Sequence, residues 1–151
     1  VYRVHPSQDR HGLDLRDILS KEKNIKFDRF ENIFDSIENS KLILATQNST
    51  TFLQSFLANV PTICFWNTDI NPFREESKKD FDKLRDLNIF QSNIDELESF
   101  LIQNIDSIND WWNSEEVQSA KNLFCKKYST HSKEVGKESL SLIYRKTKIS
   151  K

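Results

Sequence analysis

The chain has 151 residues, of which 36% are hydrophobic, with 11 Phe and 3 Trp. That is the size of one ordinary domain with enough apolar surface for a core, which excludes a disordered chain. Its 22 basic residues balance 23 acidic ones, so charge gives no case for bulk nucleic-acid binding, and no apolar run is long enough to cross a bilayer.

No signal peptide is visible at the start. Val1 already lies inside a strand-like run, so the chain is expected to be a piece of a longer protein. The two cysteines, Cys64 and Cys125, form no metal-spacing motif. Cys64 sits in an apolar run and reads as an inert buried thiol, which fits reducing, cytoplasmic conditions.

In chain order, "VYRVHP" (1–6) predicts a short strand ended by Pro6. The polar stretch that follows has Gly12 as a breaker and room for a short helix around Leu15 to Leu19. "IKFD" (25–28) reads as a second short strand. Phe30, Ile33, Phe34 and Ile37 recur at helical spacing opposite Glu31, Asp35 and Glu38, which predicts a helix over 29–39. "KLILAT" (41–46) is too short and too apolar for a surface helix and reads as a strand.

Ser49 or Thr50 then caps a helix bearing Phe52, Leu53, Phe56 and Leu57, which Asn59 ends and Pro61 forbids to continue. "TICFW" (62–66) is β-branched and aromatic, hence a strand. Phe73, Phe81, Leu84 and Leu87 predict an amphipathic helix over 73–87, and "NIF" (88–90) a brief strand. Asn93 caps a helix over 93–110 with Leu97, Phe100, Leu101, Ile105 and Ile108 on one stripe. Ser114, followed by acids, opens another helix, and a last one spans about 132–147.

Strands alternate with helices and no hairpin signature appears. The expected fold is α/β: a Rossmann-like three-layer sandwich with a mostly parallel sheet, core strands at 1–5, 42–46 and 61–66, and helices on both faces. Residues 1–110 would form that domain, and 111–151 would supply C-terminal helices packed on it. Sheets of this kind bind ligands at the carboxyl ends of their strands. His5-Pro6, Asp28, Thr46–Thr51 and Trp66–Asp69 all fall at such ends.

The run Thr46, Gln47, Asn48, Ser49, Thr50, Thr51 separates two apolar strands. A helix start exposes unpaired N–H groups and a partial positive charge, and the hydroxyls add donors, so the cluster would cradle a phosphate. It has no glycine, so it is neither a Walker loop nor a dinucleotide fingerprint. Taken alone, it reads more simply as an N-cap. His5 and Arg3 would join it at the same rim, His5 as a cationic or hydrogen-bonding contact, although a lone His-Pro after a strand also suits a surface residue. Arg74 would reach a phosphate or carboxylate bidentately, or else pair with Glu75 or Glu76 on a solvated face. Trp111 and Trp112 read as packing for the C-terminal helices rather than as a sugar platform.

Taken together, "NSTTFLQSFLANVPTICFWN", "FREESKKDFDKLRDLNIF" and "DWWNSEEVQSAKNLFCKKYS" resemble the C-terminal part of a bacterial surface-carbohydrate transferase family. That family is similar to GT-B glycosyltransferases and related in pattern to capsule and CDP-glycerol polymer transferases. The similarity runs from "YRVHP" to about Tyr128. It implies the C-terminal, donor-binding half of a two-domain enzyme of surface polysaccharide biosynthesis. The donor would be a nucleotide-sugar or similar nucleotide diphosphate, and a carbohydrate acceptor would be held by an N-terminal domain. It further implies that Asn48, Ser49, Thr50 and Thr51 hold the donor diphosphate, with Arg3 and Arg74 as supporting contacts. His5 would be the catalytic residue that assists departure of the leaving group. Related sequences tend to carry Glu where this chain has Gln54, which would hydrogen-bond a ribose without charge. The resemblance implies no metal and no cofactor. The place of action would be the cytoplasm, free or peripheral at the inner membrane face. The alternative is a non-catalytic Rossmann-like binding or interaction module. A sugar-nucleotide epimerase is a weaker third reading, because no catalytic carboxylates can be placed for it.

Overall fold

A computed structural model describes residues 1–3, 15–29 and 32–129. The helix expected over 132–147 and the strand residues Val4 and His5 lie outside these. The chain divides into two compact units, Val1–Ser40 and Lys41–Lys151.

In the first unit, Tyr2 and Phe27 form an isolated parallel bridge, with Tyr2 N–H donating to Lys26 O (2.7 Å) and Asp28 N–H to Tyr2 O (2.9 Å). Their rings meet edge to face at 6.2 Å. The strands expected at 1–5 and 25–28 are thus, among the described residues, one bridge outside the main sheet. Helix α1 spans Leu15–Leu19, as its apolar spacing predicts. Helix α2 spans Ile33–Glu38 and is shorter than the 29–39 expected. Asn32 Oδ1 accepts from Phe34 N–H, fixing its start inside the anticipated span. Ile37 is buried, whereas Phe34, expected on the same apolar stripe, is 48% exposed.

The second unit holds a three-stranded parallel sheet in the order β1-β2-β3, formed by Ile43–Ala45, Thr62–Phe65 and Phe90–Gln91. Helix α3 (Thr50–Leu57) connects β1 to β2. A short 3-10 turn (Glu75–Ser77) and helix α4 (Lys78–Asp86) connect β2 to β3. Helices α5 (Ile94–Asn104), α6 (Ile108–Trp112) and α7 (Glu115–Tyr128) follow.

A sheet whose strands follow in sequence order, joined by right-handed crossovers, collects its connecting helices on one face. Ala45, Cys64 and Phe90 on that face pack with Phe52 and Phe56 of α3, Phe81 and Leu84 of α4, and Val117 and Phe124 of α7. This departs from the expectation that crossovers would distribute the helices over both faces. On the other side, Leu44 is 45% exposed while its neighbour Ile63 is fully buried.

The core is mostly aromatic. Phe73 stacks on Phe81 at 4.0 Å with planes 10° apart, and Trp66 meets Phe90 edge to face at 4.8 Å. Such pairs add about 0.5–1.5 kcal/mol each beyond the area they bury. Cys64 is wholly buried among them, and desolvation pushes its thiol far above its ordinary value, so it stays protonated and inert.

Both crossover helices end the same way. Asn59 (φ 56°) and Asn88 (φ 60°) take the left-handed conformation one residue past the caps of α3 and α4. In α3, Asn59 N–H donates to Phe56 O and Val60 N–H to Ser55 O. In α4, Asn88 N–H donates to Arg85 O and Ile89 N–H to Leu84 O. This is the paired bonding that satisfies the last carbonyls of a helix and turns the chain sharply. Asn88 therefore belongs to a helix stop, and the strand expected at 88–90 begins at Phe90. The helix expected over 93–110 is two, α5 and α6. The break exposes Ile105 (38%) and lets Ile108 and Trp112 reach the interior.

Candidate functional site

The carboxyl ends of β1 and β2 carry the polar segments 46–51 and 67–74. Ser49 stands at the cap position of α3 with extended backbone (φ −130°, ψ 170°), but its side chain accepts no hydrogen bond from the first turn. Ser114 of α7 behaves the same way, whereas Asn93 of α5 accepts from both Asp95 and Glu96 N–H groups. The capping explanation of the hydroxyl cluster is therefore not realised by Ser49. Asn48, Ser49, Thr50, Thr51 and Gln54 make no side-chain hydrogen bond among the described residues, and Ser49 N–H donates only to Gln47 O (2.9 Å). Asn48 and Thr50 are exposed, while Ser49, Thr51 and Gln54 are half-buried. The cluster thus offers unspent hydroxyls and amides at a helix start, where the backbone N–H groups and the helix dipole favour an anion.

In the segment after β2, Asn67 Oδ1 accepts from Asp69 N–H (2.7 Å), which shapes the turn. Arg74 is exposed and makes no ion pair among the described residues. The pairing with Glu75 or Glu76 weighed from sequence does not form, because Glu75 goes to Lys78 Nζ (2.6 Å), one helical turn on. Trp66, just past β2, is 4% exposed and its indole N–H has no partner among the described residues. Composition gives no signal of that unspent donor.

Arg3 lies in the first unit, where its Nη1 contacts Asp28 Oδ2 (2.5 Å) and Ser36 Oγ (2.8 Å), and Ser36 Oγ also donates to Asp28. His5 is outside the described residues. Among the described residues, no three His, Cys, Asp or Glu side chains gather as a metal site, and no helix is long and apolar enough to cross a membrane.

The two adjacent tryptophans are committed at the other end of the sheet. Trp111 Nε1 donates to Leu87 O (3.1 Å) at the end of α4, and Trp112 Nε1 to Asn59 O (3.1 Å) at the end of α3. They tie the helix stops that precede β3 and β2, as packing residues do, and stand away from the carboxyl edge. Lys121 of α7 is 5% exposed within the same junction, a burial that its polar sequence surroundings do not signal. Its ammonium donates to Asn59 Oδ1 (2.6 Å) and Gln118 Oε1 (2.8 Å).

A protein-family model described as LIC12162 family transferase matches residues 1–143 of the chain. No curated protein and no solved structure matches it.

Proposed function

The chain belongs to the LIC12162 family of transferases, and from that premise we propose that the start of α3 binds the diphosphate of an activated donor. The observation that carries this is the set of unspent hydroxyls of Ser49, Thr50 and Thr51 at an uncapped helix start, at the carboxyl edge of a parallel sheet. In group transfer from such a donor, the acceptor's nucleophile attacks the donor carbon and the nucleoside diphosphate departs with the bonding electrons. Negative charge then builds on the phosphate oxygens. Backbone N–H groups and hydroxyls fixed in advance would stabilise it. Gln54, one turn further along α3, would accept from or donate to the nucleoside sugar, and Arg74 would approach the phosphates from the segment after β2. As the family resemblance implies, Arg3 would be a supporting contact to the donor and His5 would assist the leaving group.

The donor class that suits this arrangement is a nucleotide-sugar or related nucleotide diphosphate, and the acceptor a carbohydrate presented by a separate N-terminal domain. The pathway would be bacterial surface polysaccharide synthesis, in the cytoplasm or at the inner membrane face, and the architecture a GT-B one.

The test compares Thr50→Ala/Thr51→Ala with the parent chain in thermal melting and in titration with UDP, CDP and GDP. The expected result is weaker nucleotide binding with little loss of melting temperature, since neither hydroxyl bonds to another of the described residues. A cap would behave in the opposite way, losing about 0.5–2 kcal/mol of stability with binding unchanged. That outcome, or no binding at all, would favour the non-catalytic interaction module.

A further inference from the structure

Helix α3 presents its N-terminal turn at the carboxyl edge of the sheet, and its other end is held by polar groups around the buried side chain of Lys121. Asn59, in the left-handed turn after α3, accepts on Oδ1 from Lys121 Nζ (2.6 Å) and Trp112 Nε1 (3.2 Å). Gln118 closes the circuit, accepting from Lys121 Nζ (2.8 Å) and donating to Trp112 O (2.7 Å). The ammonium also lies 5.8 Å from the centre of the Trp112 ring. A buried lysine is ordinarily paired with a carboxylate. Among the described residues, the hydrogen-bond acceptors of Lys121 are amide oxygens, and the carboxylate that α4 directs at α7, Asp80, is taken by Lys127 and Tyr128.

The charge sits where α3 ends, and the carbonyl end of a helix attracts a cation. We propose that Lys121 is a positioning residue that clamps the C-terminal pole of α3 and makes ligand binding at its N-terminal pole sensitive to alkaline pH. The inference rests on the phosphate-site reading given above. Burial holds the ammonium below the ordinary lysine value. Among the described residues, the titratable group that acts on it is Cys125, one turn along α7, whose own thiol burial pushes up. From α6 and the end of α3 come Trp112 and Asn59, which do not titrate in this range. Eight residues make α3 about 12 Å long. At that separation, losing a cation at one pole weakens anion binding at the other by about two- to ten-fold, for an effective dielectric of about 20–80.

The test is titration of the chain with CDP, from neutral pH up to the ordinary lysine value, alongside the Nζ resonance of Lys121. The phosphates and the base of CDP titrate below that range, whereas a uracil base would lose a proton within it. The expected result is an affinity that falls as the Lys121 resonance titrates. Lys121→Met should bind weakly already at neutral pH and show no alkaline limb. Asn59→Gly keeps the left-handed turn and leaves the ammonium to Gln118 and the Trp112 ring, so it serves as the second variant if Lys121→Met does not fold, and its limb should move with the shifted Lys121 resonance. Flat affinity in the parent chain while Lys121 titrates, a limb that survives in Lys121→Met, or a limb in Asn59→Gly that does not follow the Lys121 resonance, overturns the clamp but leaves the phosphate site standing. No CDP binding at any pH overturns both.

Discussion

Asn59 holds three structural roles at one position: left-handed backbone, acceptor for a buried ammonium, and carbonyl partner of a buried indole. Asn59→Ala loses the side-chain acceptor and places a methyl where φ is positive. A loss of about 2–4 kcal/mol in denaturant unfolding is expected, with Asn59→Gly recovering part of it. Asp80 links α4 to α7, and its carboxyl is held below the ordinary range by hydrogen bonds from Lys127 first and Tyr128 second. Such a carboxylate contributes stability that is present above its unfolded value and is lost as pH falls through the folded one. Asp80→Asn should therefore melt below the parent at neutral pH, and the gap should close on acidification below about pH 3.9. The gap is small, because the pair faces solvent. At this scale the sequence showed which side chains can serve chemistry but not which are already engaged. Arg3 finds Asp28 across 25 residues, while Arg74 has no ion pair among the described residues and Lys78 takes Glu75. Side-chain competition of that kind is set by folding and leaves no local pattern.

The element that organises the amino side of the sheet is α6, only five residues long. Its two indoles bind the ends of the two crossover helices, Trp111 at Leu87 and Trp112 at Asn59. Trp112→Phe keeps most of the ring and removes the N–H. A loss of about 1–3 kcal/mol is expected by chemical denaturation, since Asn59 O is left short of a donor, and Trp111→Phe should cost less, because Trp111 is only half-buried. The sequence read as one helix over 93–110 because apolar residues recur at helical spacing throughout. Periodicity does not say whether a stripe is covered: Leu97 and Ile108 are buried, whereas Ile102 is 73% and Ile105 38% exposed. The elements read well from sequence, β1, α3 and β2, carry strong local chemistry: a short apolar run, a Ser/Thr start and an Asn-Val-Pro stop. The strands expected at 1–5 and 25–28 rested on short runs, and their observed pairing is a single bridge.

On the scale of the whole molecule, the continuous aromatic core lies within the Lys41–Lys151 unit, from Ala45 to Cys125. A chain starting at Lys41 is expected to unfold in one cooperative transition, seen as coincident tryptophan fluorescence and far-ultraviolet circular dichroism. Separate transitions would show that the core depends on the first unit. Phe124 joins Phe52, Phe56 and Phe81, so Phe124→Ala should cost about 3–5 kcal/mol in either chain. The alternation of strands and helices made the parallel sheet legible, but not the gathering of α3, α4 and α7 on one face, which depends on strand order. The central claim is that the segment from Thr46 to Thr51 is the phosphate site of a transferase. Amide chemical shifts under titration with UDP test it most directly. Saturable shifts centred on Ser49, Thr50 and Thr51 are expected, with smaller ones at Arg74 and none at the Trp111–Trp112 junction. No shift between Thr46 and Thr51 with millimolar UDP, CDP or GDP would contradict it.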